Sequence, residues 1–199
     1  MVRSWLRKDD IIYCGHNVLY WMPFLRSLGL LRRHIVSLIF ARETLDFSGA
    51  HSAIIALTPS AVQQAAQIAP RTKCIHLGWG ADLNAFPISP YNPRWFLHCG
   101  ISGRDFDTLK QATRESSAPV RIVSTWGIDP ASWPPQVKVI DAGKGHNHEN
   151  KKVSFGELVS EHYAGSAGSL ITTIPEPEQK HAFGFTNLIE ALALGQPVI

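Results

Sequence analysis

The stretch that decides the fold is the last one in the chain, residues 184–199, which reads GFTNLIEALALGQPVI. Its apolar and small residues recur at helical spacing, which predicts a helix from about Thr186 to Leu194. Gly195 followed by Pro197 is a helix stop signal. The apolar residues Pro197–Ile199 then predict a buried strand. A helix that leads directly into a buried strand is typical of an α/β fold with a parallel sheet.

Short β-branched apolar runs recur along the rest of the chain, with helical stretches between them, as expected for parallel sheets covered by helices. Most of these runs lack alternation of apolar and polar residues, which favours strands that are buried on both faces. The predicted strands are Ile11–Cys14, Ile35–Phe40, Ala53–Leu57, Lys73–Leu77, Trp95–Cys99, Val120–Ser124, Val137–Ile140, Ser169–Thr173 and Pro197–Ile199.

Three further helices have recognisable starts. Thr58 followed by Pro59 predicts an N-cap with proline at the first helical position. Ser154 and Glu157 have the spacing of a capping box, so a helix should run from there towards Tyr163. Another helix is predicted from Asp105 to about residue 116.

A proline-rich segment without periodicity divides the chain. Residues 84–94 read NAFPISPYNPR, a composition typical of an interdomain linker. We therefore predict two α/β units, residues 1–85 and 95–199, joined by a linker at 86–94. The two units should meet across a crevice where the carboxyl ends of the strands face a ligand.

The composition excludes several classes of protein. The 199 residues are 45% hydrophobic and 18% charged, which is typical of a globular protein and not of a disordered chain or a collagen. A formal charge of +3 is too small for a dedicated nucleic-acid binder, so no nucleic-acid partner is expected. Cys14, Cys74 and Cys99 lie in apolar runs and indicate core residues in a reducing compartment.

The amino-terminal residues favour a cytoplasmic protein. The start MVRSWLRKDD runs into acidic residues and does not resemble a secretory signal. Residues 18–31 are very apolar, but Pro23 and Arg26 interrupt them and they fall short of the about 20 residues that span a bilayer. Residues 18–34 nevertheless form an aromatic, arginine-bearing segment, either a core helix or a peripheral contact with the inner, anionic face of the membrane.

Four motifs give the chain a family resemblance. The stretch 184–199 resembles the signature of GT-B glycosyltransferases, especially the retaining family four, with Gly184, Glu190, Ala191, Ala193, Gly195, Pro197 and Val198 in the matching positions. The segment GADLNAF at 80–86 is similar to the element that closes the amino-terminal domain of that family. TPSAVQQAA at 58–66 and CGISGRDFDTL at 99–109 resemble two further family elements, in the family's order.

The resemblance implies two Rossmann-like units of the GT-B architecture, with an acceptor domain before the linker and a nucleotide-sugar domain after it. A full member of the family would be longer at both ends, so we expect this chain to be a partial one. The function implied is the transfer of a sugar from a nucleotide-sugar donor, with retention, to an acceptor such as a glycan, a lipid-linked molecule or a small molecule. Cell-envelope glycan synthesis fits such an enzyme.

The predicted donor site lies in two glycine-containing loops. The glycine turn at Gly184 would let the backbone amides of Phe185, Thr186 and Asn187 approach a diphosphate. Glu190, about one turn into the helix, would accept hydrogen bonds from the ribose hydroxyls, since a carboxylate suits a vicinal diol.

The loop around Arg104 completes this site. Gly100, Gly103 and Arg104 would hold the diphosphate, with the arginine stabilising its charge as it leaves. Arg104 and Glu190 are therefore the predicted catalytic residues.

The sequence departs from the family pattern at two positions. Ile101 stands where many members have arginine, and Ala182 stands where many have an acidic residue near the sugar. The alternative sugar contacts are Glu176, Glu178 and His181, and the sequence does not favour one of them over the others.

No metal or other cofactor beyond the donor is expected. His146, His148 and Glu149 are close in sequence, but their spacing does not match a closed zinc site, so a solvated loop is predicted there.

Two other functions remain open. A nucleotide-sugar epimerase of the same architecture would need acid and base groups around the sugar, for which His181, Glu176 and Glu178 are candidates. A non-catalytic fragment or degenerate paralogue that binds nucleotide would account for Ala182 and Ile101.

Overall fold

The computed structural model describes residues 11–15, 21–39, 48–86, 92–100, 103–125, 127–143, 152–175 and 183–199. These residues divide into two compact units, with the boundary between Trp79 and Gly80. Residues 87–91 of the predicted linker lie outside the described residues, so the predicted domain bounds stay a prediction. The predicted fold class is confirmed: the chain is α/β, with two Rossmann-like units that are each built on a parallel sheet.

The described residues of the first unit form four parallel strands that lie in chain order, β1-β2-β3-β4. Its core is formed by Ile35, Ile54 and small residues of one helix, which pack on the sheet. That helix, α2, begins where the sequence predicts, since the Thr58 side chain accepts a hydrogen bond from the Ala61 amide. The elements are β1 (Ile11–Gly15), α1 (Trp21–Ser27), β2 (His34–Ile39), β3 (Ala53–Ala56), α2 (Pro59–Ile68) and β4 (Lys73–His76).

Strand β4 corrects one prediction. Its sequence indicated a buried strand, yet the side chains of Lys73, Ile75 and His76 are exposed. The reason is topological, because β4 lies at one end of the sheet and has a strand neighbour on one side only among the described residues.

In the second unit the described part of the chain also forms four parallel strands, but their order is β7-β6-β5-β8. Residues Pro197–Ile199 extend the sheet beyond β8, through bonds such as the one from the Ile199 amide to the Ser169 carbonyl, 2.9 Å. The strands are β5 (Trp95–Cys99), β6 (Val120–Ser124), β7 (Val137–Asp141) and β8 (Ser166–Ser169).

The helices of the second unit begin close to their predicted starts. Asp105 caps α3 (Phe106–Arg114) by accepting from the Thr108 amide. The predicted capping box of Ser154 and Glu157 is present at α4 (Phe155–Glu157), which continues as a π-helical segment, Leu158–Tyr163. The last helix is α5 (Phe185–Ala193).

Strand β8 differs from the prediction. It was predicted at Ser169–Thr173 and lies at Ser166–Ser169. The prediction was based on the apolar, β-branched residues that follow this strand, which have a high β-propensity. In the structure the small residues of SAGS pair directly with β5. Gly168 fits there because an added Cβ would lie 2.9 Å from the Pro197 carbonyl oxygen.

Both faces of the second sheet are covered. Leu109, Val120 and Ile122 pack on one side, and Leu97, Cys99 and Tyr163 pack on the other. The chain direction across the sheet reverses between β5 and β8, which makes the carboxyl ends of these two strands the topological switch point of the unit.

Candidate functional site

The segments that follow β5 and β8 are joined by hydrogen bonds at the switch point. The Asp105 amide donates to the Thr172 carbonyl at 3.2 Å, and the Ile174 amide donates to the Gly103 carbonyl at 3.0 Å. The Thr172 hydroxyl adds a bond of 2.8 Å to the Asp105 carbonyl. We call residues 103–105 and 172–174 the clip, and Arg104 lies at its centre, paired in antiparallel fashion with Thr173.

The guanidinium of Arg104 turns back over the end of β5. Its Nε donates to the Cys99 carbonyl at 3.1 Å, and its Nη2 donates to Asn187 Oδ1. The close approach needs Gly100, where an added Cβ would overlap the guanidinium. The loop glycine therefore sets where the arginine charge lies.

Helix α5 begins at the same place without a side-chain cap. Gly184 is its N-cap residue, with φ of +78°, and an added Cβ would lie 2.5 Å from Ile171 Cγ2. No acidic residue lies in the first turn of the helix. Backbone amides at the start of a helix and the positive end of its dipole attract anions. The Arg104 Nη1 atom would lie 3.7 Å from a Cβ added at Gly184, so the guanidinium is close to the helix start.

Glu190 is held one turn further along α5. Its Oε2 accepts from the Tyr163 hydroxyl at 2.7 Å and from Asn187 Nδ2 at 3.4 Å. Cys99 Sγ completes the cluster, 3.2 Å from the Tyr163 hydroxyl and 3.1 Å from Asn187 Nδ2. A half-buried carboxylate and a half-buried guanidinium thus share a small polar cluster at the switch point.

Burial shifts the pKa of every titratable group in this cluster. It raises the pKa of Glu190, against the opposing effects of the bonds from Tyr163 and Asn187 and of the Arg104 charge. It lowers the pKa of Arg104 and raises that of Tyr163. It also raises the pKa of the Cys99 thiol to about 12, so this thiol stays protonated at neutral pH. Such perturbed groups around a strand end are typical of a functional site.

The structure brings together several of the predicted donor-site residues. Arg104, Gly184, Asn187 and Glu190 lie at one strand-end cluster, beside Gly100 and Gly103 of the loop after β5. In the first turn of α5, Thr186 is exposed and Phe185 half-buried. Their roles in binding a donor stay predictions.

Glu176, Glu178 and His181, the alternative sugar contacts, lie outside the described residues, as do His146, His148 and Glu149. Within the described ranges, no three His, Cys, Asp or Glu side chains lie close enough to hold a metal ion. Independence from metal stays a prediction.

Tyr163 was not predicted as a site residue, and Asn187 was predicted only for its backbone amide. Tyr163 is fully buried at the end of the π-helical segment, and its hydroxyl reaches Glu190. A tyrosine in a core normally finds a partner for its hydroxyl, so a buried Tyr before a small-residue strand is a usable signal. The partner itself depends on the fold.

Known proteins resemble this chain in structure only. No family model and no curated protein matches its sequence. A chain of the solved GtfA/B complex matches with a TM-score of 0.56 and 12% identity, over 99% of this chain and 43% of that chain. A chain of the Glycosylation Associate Protein (Gap123) complex from Streptococcus agalactiae matches with a TM-score of 0.51 and 10% identity, over the same shares of the two chains.

The chain shares the fold of these two solved structures. At this level of identity the likeness shows the fold alone, and the chain spans less than half the length of these neighbours. No helix in the described ranges is long and apolar enough to cross a bilayer.

Proposed function

We propose that the second unit binds the nucleoside diphosphate of a nucleotide-sugar donor at the switch point, and that the chain belongs to a retaining glycosyltransferase of the family-four type. One observation carries the proposal: an arginine, an uncapped helix start and a glutamate converge at the carboxyl ends of β5 and β8. The glycosyltransferase-like fold supports it.

Arg104 supplies the charge for the diphosphate. Transfer of the sugar leaves a nucleoside diphosphate, and an arginine presents several fixed donors to it without losing its charge. The amides of Phe185, Thr186 and Asn187 add donors that point along the helix axis. Stabilising the leaving group in this way is the main chemical task of such a site.

Glu190 is assigned to the ribose. Its Oε2 is occupied by Tyr163 and Asn187, which leaves Oε1 without a hydrogen-bond partner within the described part of the chain. A carboxylate oxygen held in this way can accept from a ribose hydroxyl. In a retaining transferase the leaving phosphate can take the acceptor proton, so neither a protein base nor a metal is part of the proposal.

Calorimetric titration of the chain with UDP, GDP and ADP tests the proposal. We expect one of them to bind, and Arg104→Ala to weaken binding by about 2 kcal/mol or more, since a charged hydrogen-bonding group is lost. Arg114→Ala is the matched control, because Arg114 is exposed at the end of α3 and should leave binding unchanged. A folded chain that binds none of the three nucleotides would contradict the proposal.

A second candidate function is that of a non-catalytic, nucleotide-binding subunit. The observation that favours it is that the solved neighbours are components of complexes, GtfA/B and Gap123. Ala182 and Ile101, where the family pattern has charged residues, point the same way. Release of free sugar from the matching nucleotide sugar distinguishes the candidates, because turnover that Arg104→Ala abolishes excludes the non-catalytic subunit.

Peripheral contact with a membrane through residues 18–34 is also a proposal. It is supported by Trp21, Phe24 and Leu28, which are 44%, 42% and 55% exposed along α1 and the turn after it. Arg32 is exposed nearby and would suit an anionic lipid surface.

A further inference from the structure

We infer that Asn187 is a positioning residue that couples the Arg104 guanidinium to the Glu190 carboxylate, so that diphosphate and ribose are bound at a fixed spacing. The inference rests on the proposed function and adds a specificity to it, a preference for ribose over 2′-deoxyribose. It begins from the position of Asn187, in the first turn of α5 with a side chain that is only 8% exposed.

The amide oxygen of Asn187 fixes the guanidinium. Oδ1 accepts from Arg104 Nη2, while Arg104 Nε is bonded to the Cys99 carbonyl. A guanidinium is planar and its donors diverge in a rigid fork, so two bonds to fixed acceptors define its plane. The direction in which Arg104 presents its charge therefore depends on Asn187.

The amide nitrogen of Asn187 faces the carboxylate. Nδ2 lies 3.4 Å from Glu190 Oε2 and 3.3 Å from the Tyr163 hydroxyl, which itself donates to the same Oε2 at 2.7 Å. Asn187 and Glu190 are three residues apart on one helix, the spacing at which side chains meet. Two donors therefore hold Oε2 and define the orientation of the carboxyl group.

The chemistry of the two sides requires an amide in this orientation. Rotating the side-chain amide of Asn187 by 180° would place its NH₂ group next to the guanidinium and its oxygen next to the carboxylate. Donor would then face donor and acceptor would face acceptor. A carboxylate in place of Asn187 could accept from Arg104 but could not donate to Glu190. A side chain of the same size without polar atoms could do neither.

The effect of Asn187 on Arg104 and its effect on Glu190 can therefore be measured separately. Two ratios of dissociation constants are measured by calorimetry, with the nucleotide base that the wild-type chain binds. The first compares the nucleoside diphosphate with its monophosphate and reports on Arg104. The second compares the ribonucleoside diphosphate with its 2′-deoxy form and reports on Glu190.

The variants Asn187→Leu, Asn187→Asp and Tyr163→Phe should move these ratios differently. Asn187→Leu should reduce both preferences by roughly tenfold, because a buried hydrogen bond to a charged group is lost on each side. Tyr163→Phe removes a donor to Glu190 and leaves the Arg104 bonds intact, so it should reduce only the ribose preference. Asn187→Asp should reduce both preferences, because it removes the donor to Glu190 and adds a negative charge beside Arg104. Gln111→Leu, which removes an exposed amide on α3, should change neither.

The outcomes are distinguishable. A wild-type chain that binds no nucleoside diphosphate contradicts the proposed function itself. Binding in which Asn187→Leu or Asn187→Asp keeps the wild-type ribose preference, or in which Tyr163→Phe changes both ratios alike, overturns the inference while the proposed function stands. Should Asn187→Leu fail to fold, Asn187→Asp and Tyr163→Phe still decide the result, since each retains part of the buried cluster.

Discussion

The two units are built from the same sheet type and differ in strand order. In the first unit the described strands follow one another across the sheet as they do along the chain, β1-β2-β3-β4, whereas the second reverses direction between β5 and β8. A buried polar contact of the first unit, Ser37 Oγ to His51 Nδ1 at 2.7 Å, begins in the middle of β2. The cluster around Arg104 lies at strand ends. The reversal, and not the sheet itself, creates room for a site.

The largest effect is expected from a glycine substitution in the second unit. Gly184→Ala places a Cβ 2.5 Å from Ile171 Cγ2 on a residue with φ of +78°. We expect a loss of about 3 kcal/mol in the free energy of unfolding, together with loss of nucleotide binding. Urea denaturation followed by circular dichroism measures the first, and calorimetry the second.

The control is a glycine that follows a strand of the first unit. Gly78 follows β4, and no heavy atom lies within 4 Å of an added Cβ. Gly78→Ala should therefore change the free energy of unfolding by less than about 0.5 kcal/mol. Equal effects of the two substitutions would show that the two glycines are under the same steric constraint, which contradicts this expectation.

The next largest effect is expected to be a loss of stability of the second unit in acid. His98 is fully buried in β5, its Nδ1 donates to the Leu170 carbonyl at 2.9 Å, and burial lowers its pKa to about 4. An unfolded histidine titrates near pH 6.5, so unfolding takes up a proton below that pH. The free energy of unfolding should fall by up to about 3 kcal/mol between about pH 6.5 and pH 4.

Hydrogen exchange at a series of pH values would place this loss in the second unit. His98→Asn keeps a donor for the Leu170 carbonyl and does not titrate, so its stability should vary less over the same range. A variant with the same dependence on pH as the wild type would show that His98 is not the group responsible.

The smallest effect concerns Glu190. Burial raises its pKa, so the folded state holds the proton more tightly than the unfolded state does. This contribution to stability is complete below the ordinary pKa of a glutamate and is lost as pH rises through the raised one. The Glu190→Gln variant has no carboxyl group to ionise, so it does not lose this stability as pH rises. The free energy of unfolding of the variant, measured by urea denaturation, should therefore increase with pH relative to that of the wild type. A constant difference would contradict the assignment.

Much of the fold could be predicted because local signals and burial agree. The bounds of β5 and β6 were predicted correctly from WFLHC and VRIVS, and the caps at Thr58 and Ser154 from their spacing. Strand β8 was misplaced because SAGS has almost no intrinsic preference for a strand and is held by pairing with β5. The exposure of β4 depends on its place in the sheet, which a local sequence does not contain.

The residues of the candidate site were also predicted only in part. Arg104, Gly184 and Glu190 could be selected because each stands in a motif with a fixed spacing. Tyr163 could not, since its hydroxyl reaches Glu190 only after the π-helical segment and α5 have packed on the same face of the sheet. The Asn187 side chain was missed because its partners, Arg104 and Tyr163, are distant in sequence.

The clip has a consequence for how tightly a ligand can be held. Its two backbone bonds and the Thr172 hydroxyl bond fix the main chain on both sides of Arg104 before any anion arrives. A loop that must be ordered on binding costs conformational entropy, which subtracts from affinity. Here that entropy is lost when the chain folds, so the anion that we propose for this site would meet a preorganised loop.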